Sequence, residues 1–395
     1  MRLNSLIVSC LGVVFLGACS PAPSNNQRDG GSIPASAAVC ADGVELASFD
    51  VEPELDVVGE AANVMVQAGD HAYIVESLDN TISRLNLQTG ALEPGFIDVG
   101  NDRGPYDMFA DPETMRGWVA NYQSSSVSIV DLQTGAVIEE LTGDAFDGPN
   151  GVTATRTHVY IGNTQPLPGG GYGPGSITVI DRATRGVLGQ LPTAAPNPQF
   201  LGVIERGGAE QVVVVNSGKI AREGGIFTQV SDAAVELWVP GEDPLAPTRR
   251  TWILPQPAPG SRVGAPGRPL ASPDGSKVYM TSATAPVVFS VDLDAGEWAR
   301  GADDPIELYE SDADTLHNGF MGDDGLLWVV SFNDDSLYVV DTACDEVLLG
   351  GVDLGVIPGE LEGPIGFVVA SREPLSAYYM TSISKRLGKI EEHSP

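Results

Sequence analysis

Basic residues are scarce in this chain. Lys and Arg number 21 against 53 Asp and Glu, a formal charge of −32 over 395 residues. A phosphate backbone needs a basic surface, so nucleic acid is excluded as a partner. Cysteine is rarer still, at four, and without clustered histidines these positions make no zinc site. The apolar segment 6–16 is too short to span a bilayer. Apolar i, i+3, i+4 spacing is never sustained, which argues against helices. There is no Gly-x-Ser-x-Gly elbow and no His-Glu-x-x-His zinc motif. The glycine run 169–171 lacks the Gly-Lys-Ser/Thr and the following helix of a phosphate loop. No catalytic residues are assigned. No strict calcium-loop motif appears either, so no cofactor is assigned and any metal ligands stay unknown. A divalent cation such as calcium is the one ion that the acidic surplus would attract.

The start of the chain is more specific. Arg2 precedes the apolar segment, which ends in Leu16-Gly17-Ala18-Cys19. This pattern resembles the lipobox of bacterial lipoproteins. The resemblance implies that residues 1–18 are a signal peptide that is removed, and that Cys19 is acylated and inserted in a lipid bilayer. Ser20 fits delivery to the outer membrane of the cell envelope, on its periplasmic or its surface side. Residues 19–40 then form the lipidated cysteine and a tether rich in Pro, Ser, Gly and Asn. Cys10 leaves with the signal. Cys40 and Cys344 remain, an even pair in an exported chain, and a disulfide is the leading reading. Two free thiols or an intermolecular bridge are the alternatives.

From residue 41 the chain repeats itself. Tyr73-Ile-Val-Glu is followed by a polar turn, the strand Thr81-Ile-Ser-Arg-Leu-Asn and Thr89-Gly90. Trp118-Val-Ala-Asn is followed by Ser126-Val-Ser-Ile-Val-Asp and Thr134-Gly135. Further copies start at 160, 213, 279, 328 and 379, at spacings of 42 to 66 residues. A unit of this length cannot bury its own apolar face and must stack on copies of itself. Four strands and their turns fit each spacing, which predicts a seven-bladed all-β propeller. The last copy stops one strand short. Residues 44–51 alternate like a strand and are predicted to complete that blade, so that the N- and C-terminal strands close the ring. In the second copy, alternation leaves either Ile129 or Val130 as the inward residue.

These copies resemble the YVTN-type β-propeller repeat, in which a Tyr-Val-x-Asn strand end leads to a Val-x-Val-Ile-Asp strand and a Thr-Gly turn. Residues 118–135 match best, and Ser272-Pro-Asp-Gly275 matches the family's inter-strand turn. The resemblance implies the architecture and is poor in chemistry. Copies three and four depart from it through insertions at 164–175 and 217–232.

In such a blade, the segment leading into the innermost strand opens on the mouth of the central channel. Aligning these segments predicts a ring of Asn63, Tyr106, Asn150, Gln199, Leu270, Asn318 and Ile365, with Arg268 and His317 close by. Amides with one Tyr, one Arg and one His suit a polar ligand or a cation. The competing reading is that these residues serve turn geometry and cap backbone. Both insertions are expected on the same face, where loops on a rigid scaffold carry specificity. The acidic pairs 303–304, 323–324 and 334–335 read as solvated turn residues.

The leading functional expectation is a lipid-anchored, non-enzymatic propeller of the cell envelope that binds a protein, a glycan or a small ligand on its loop-rich face. The alternative is a metal-dependent hydrolase similar to gluconolactonase-type propeller lactonases, with Asn150, Asn318 and Asp107 as oxygen donors. Five scattered tryptophans offer no docking repeat for a quinone cofactor.

Overall fold

The computed structural model describes residues 49–392 apart from 169–170, 224–225, 259–260, 310–315, 356–361 and 373–374. At 222–223, 226–227, 316–317 and 372 it describes the backbone alone. Cys19, Cys40 and the tether therefore lie outside the described residues. No helix occurs among those described. Seven antiparallel sheets of four or five strands follow one another, beside one two-stranded hairpin, and in six of the seven the strands pair in sequence order. The innermost strands are Ala62–Ala68, Pro105–Asp111, Pro149–Ala154, Pro198–Arg206, Pro266–Ala271, Leu316–Met321 and Pro364–Arg372. These are blades one to seven.

Blade seven is completed by the chain start. Phe49–Val57 pairs antiparallel with Arg386–Glu392, from Phe49 opposite Glu392 to Val57 opposite Arg386. Residues 49–51 of the predicted 44–51 lie in this strand, which runs on to Val57, and residues 44–48 are outside the described set. Its register slips between Glu52 and Asp56. Closure leaves no open edge between first and last blades.

The middle strands read as near-continuous apolar runs because each sheet is covered on both faces. Ile129 and Val130 illustrate this. Both are fully buried, Ile129 with Val152 and Ile161 of blade three, Val130 with Tyr73 and Ile97 of blade one. Choosing one inward residue is unnecessary, since both faces are interior. Outer strands are wetter, as in Val137–Leu141 with Val137 and Ile138 exposed.

Two repeated side chains hold blades two and three. Asp131 Oδ1 accepts the N–H groups of Gln133 and Thr134 at 2.9 and 2.8 Å, closing the turn that Gly135 completes at φ 76°. A Cβ at Gly135 would strike the Phe96 carbonyl. Asn121 donates to Ser126 and Ser128 Oγ at 3.1 and 2.8 Å, and Asn163 donates to Thr178 Oγ1 at 2.8 Å. The strand-end asparagine of the repeat therefore ties the second strand to the third.

The last copy of the repeat sits one residue earlier than its sequence suggests. Pro364 pairs with Thr381, so Tyr378 takes the place held by Trp118 in blade two, and Tyr379 faces the other way. Tyr379 donates to the Leu354 carbonyl of blade six at 2.8 Å. A one-residue slip moves a strand side chain to the opposite face.

Candidate functional site at the channel mouth

Each innermost strand breaks register just after its first pair. Pairing starts at Ala62–Glu76, Pro105–Asn121, Pro149–Asn163, Pro198–Asn216, Pro266–Ser282, Leu316–Ser331 and Pro364–Thr381, and every ladder then shifts. Such a bulge frees a residue from the ladder and re-aims its side chain. The freed positions are Asn63, Tyr106, Asn150, Gln199, Gly267, His317 and Ile365. In blade five the aligned proline is Pro266 rather than Pro269. Leu270 is thereby removed from the predicted ring and pairs with Tyr279 further along the strand. Gly267 has no room for a side chain, since a Cβ would lie 2.8 Å from Thr281 Oγ1.

Most of the predicted ring meets in one place. Asn63, Tyr106, Gln199, Arg268, Asn318 and Ile365 line a depression of about 530 Å³, solvent at its mouth included. Val64, Asp107, Phe200, Gly267 and Ala283 complete the wall. Asn150 does not line it: the residue is fully buried. His317 stands at its expected place on the innermost strand of blade six, and its side chain is outside the described set.

The polar groups are organised in pairs. Asn197 Nδ2 donates to Gln199 Oε1 at 3.3 Å, and Gln199 Nε2 donates to the Tyr106 hydroxyl at 2.9 Å. This last bond joins blades four and two, passing across blade three. Asn63 donates to Ser77 Oγ, which donates to the Pro105 carbonyl. Asn318 Oδ1 accepts the Gly319 N–H at 2.9 Å. Arg268 Nη2 lies 3.0 Å from Asp107 Oδ1, while Asp107 Oδ2 accepts the Val152 N–H at 3.3 Å. The Arg268 guanidinium also sits 5.8 Å from the Phe200 ring centre. Phe200 and the Arg268–Asp107 partnership were not legible in the sequence, because the partners belong to blades separated in the chain.

Among the described residues neither insertion contributes a wall residue. The second one carries a hairpin, Ile220–Glu223 with Ile226–Gln229, and braces the strand that bears Arg268. Gln229 Oε1 accepts the Ala265 N–H, and Ser217 Oγ donates to the Pro266 carbonyl at 2.8 Å. The first packs on the approach to blade three, with Thr164 Oγ1 donating to the Gly148 carbonyl at 2.9 Å.

One acidic pair departs from the solvated-turn reading. Asp335, half-buried, accepts the N–H groups of Glu362 and Gly363 at 3.1 and 2.8 Å. Asn80 Oδ1 does the same between blades one and two, accepting from Arg103 and Gly104 at 2.9 Å each. Burial pushes the Asp335 carboxyl up to about 6, with Glu362 and Asp334 adding to the rise and the two N–H groups opposing it.

No family model and no curated protein matches the chain. Solved structures do. A hydrazine synthase structure from Kuenenia stuttgartiensis matches at TM-score 0.66 and 15% identity, over 86% of this chain and 97% of that one. A streptogramin B lyase structure matches at TM-score 0.63 and 12% identity, over 87% of this chain and 98% of that one. At such identities the likeness is one of fold, and fold does not carry function. The chain is a seven-bladed β-propeller with a polar, aromatic-edged depression at the mouth of its channel.

Proposed function

We propose that this protein is a lipid-anchored binding propeller of the cell envelope, taking a small polar ligand at the channel mouth. The observation that carries the reading is convergence. Six blades each send one or more of Asn63, Tyr106, Gln199, Arg268, Asn318 and Ile365 to a single depression. Concave sites with a few converging polar groups beside aromatic surface are what ligand pockets look like. The lactonase alternative is weaker. Asp107, its one carboxylate on the ring, is already engaged by Arg268 at 3.0 Å and by a backbone N–H. Among the described residues no three of His, Cys, Asp and Glu group together.

The test is a thermal-shift and calorimetric screen of small polar compounds against the mature chain. A hit should be lost in Asn318→Ala and Arg268→Lys. A hit that both variants bind as well as the wild type would place binding elsewhere and sink the reading.

Anchoring and cross-linking are part of the same proposal. Replacing Cys19 by Ser should release the protein from membranes. The Phe49 ring lies 5.8 Å from Trp328, which brings residue 49 beside blade six, whose turn 342–345 holds Cys344. A Cys40–Cys344 bond would tie the tether to that blade. Peptide mapping without reductant should yield the linked pair, and alkylated Cys40 in the native protein would rule it out.

A further inference from the structure

Asn150 is the anomaly of the ring. It is fully buried, and neither Oδ1 nor Nδ2 has a hydrogen-bond partner. Other buried side chains, Thr281 and Ser290 among them, also leave an oxygen unpaired, but Asn150 is the one carboxamide among the described residues unpaired at both ends. Glu76 and Glu236 are just as buried, yet Glu76 accepts from Gly59 N–H, Thr81 and Ser83, and Glu236 from Asn216, Ala194 N–H and Trp238. A buried carboxamide left unpaired at both ends costs about 1–3 kcal/mol per group. Asn150 stands in blade three, between Tyr106 of blade two and Gln199 of blade four, which bond to each other.

We infer that Asn150 is the floor of an inner subsite, closed by the Tyr106–Gln199 bond, that takes a vicinal hydroxyl pair of a neutral saccharide entering from the mouth. The inference rests on the binding reading above. A carboxamide presents an acceptor and a donor side by side, and adjacent hydroxyls match that edge with one donated and one accepted bond. Charge selects against ions. Arg268 and Asp107 neutralise each other at the wall, and Asp107 is 2% exposed. A bound anion would pull Arg268 from that carboxylate and leave a buried charge unpaired, and a bound cation would strand the half-buried Arg268. The remaining wall suits a sugar ring: amides at Asn63, Gln199 and Asn318 for hydroxyls, and the rings of Tyr106 and Phe200 for the apolar C–H face.

The experiment is calorimetry on the mature wild-type chain with D-glucose, D-galactose, D-mannose and N-acetyl-D-glucosamine, and with glucuronate, glucosamine and glycinamide as contrasts. Three variants accompany it: Asn150→Leu, Tyr106→Phe and Asn318→Ala. At least one neutral sugar should bind, and the charged sugars and glycinamide should bind more weakly. Asn150→Leu should melt no lower than wild type and bind about tenfold more weakly or worse. Tyr106→Phe keeps the ring and removes the closing bond, so affinity should rise by about threefold to tenfold.

Failure of any neutral sugar to bind, or equal binding of glucuronate, would overturn the inference. So would wild-type affinity in Asn150→Leu, the result expected if channel water alone meets the amide. Loss of binding in Asn318→Ala with retention in Asn150→Leu would discard the inner subsite and leave the mouth reading standing.

Discussion

Arg268 and Asp107 meet across the channel at 3.0 Å, although 161 positions separate them in the chain and three blade steps separate them in the ring. The pair crosses close to the channel's full width and fixes two distant innermost strands to each other. Arg268→Met leaves the Asp107 carboxylate buried without its counter-charge, which should cost about 3–5 kcal/mol. Adding Asp107→Asn in the same chain should recover most of that loss. Urea unfolding of the two singles and the double completes the cycle. An Arg268→Met protein as stable as wild type would show that the pair does not hold the ring.

Trp118 should be the costliest single truncation in blade two. Its ring is 2% exposed and packs with Val152, Ala154 and Ile161 of blade three. Trp118→Ala removes that filling between blades and should cost about 3–5 kcal/mol. An unchanged melting temperature would contradict the packing.

Asp335 makes stability depend on mild acid. Its folded pKa is about 6, above the ordinary carboxylate value, so the native state binds the proton more tightly than the unfolded one. The protonated form's advantage is fully present below about pH 4 and is lost as pH rises to 6. Asp335→Asn keeps the acceptor for Glu362 and Gly363, as Asn80 does between blades one and two, and suits φ 51°. That variant should gain about 1 kcal/mol at pH 7.5 and lose the decline between pH 4 and 6. Melting temperatures across that range decide it; a variant less stable than wild type at pH 7.5 would refute the account.

Ring closure is separable from the rest of the fold. Deleting residues up to 57 strips Arg386–Glu392 of its partner and exposes a strand edge. The shortened protein should melt lower and self-associate on gel filtration. A monomer with wild-type stability would mean that closure contributes nothing.

The architecture was legible because it is written in local chemistry. Strand, polar turn, strand and a turn led by Asp or Asn recur, each turn made by neighbours in the chain, such as Asp131 with Thr134 and Gly135. Counting those turns counts blades, and the missing strand of the last copy points to the chain start. Bounds were less legible. The seventh copy slid by one residue, because Tyr378 and Tyr379 are chemically alike and only pairing with Val368 and Phe367 tells them apart.

The site divides the same way. The sequence marked most of the positions at the channel mouth, since the lead into six of the seven innermost strands repeats a Pro or Ala followed by the freed position, Leu316 being the exception. Gly267 broke the pattern, and the misplaced Leu270 followed from reading Pro269 as its start. Tertiary structure decided who meets whom. Gln199 with Tyr106 and Arg268 with Asp107 are contacts between blades, set by the closure of a sevenfold ring rather than by spacing along the chain. Burial made Asn150 unusual for the same reason: an amide is ordinary in a sequence, and becomes a cost only where its neighbours shut it away from water.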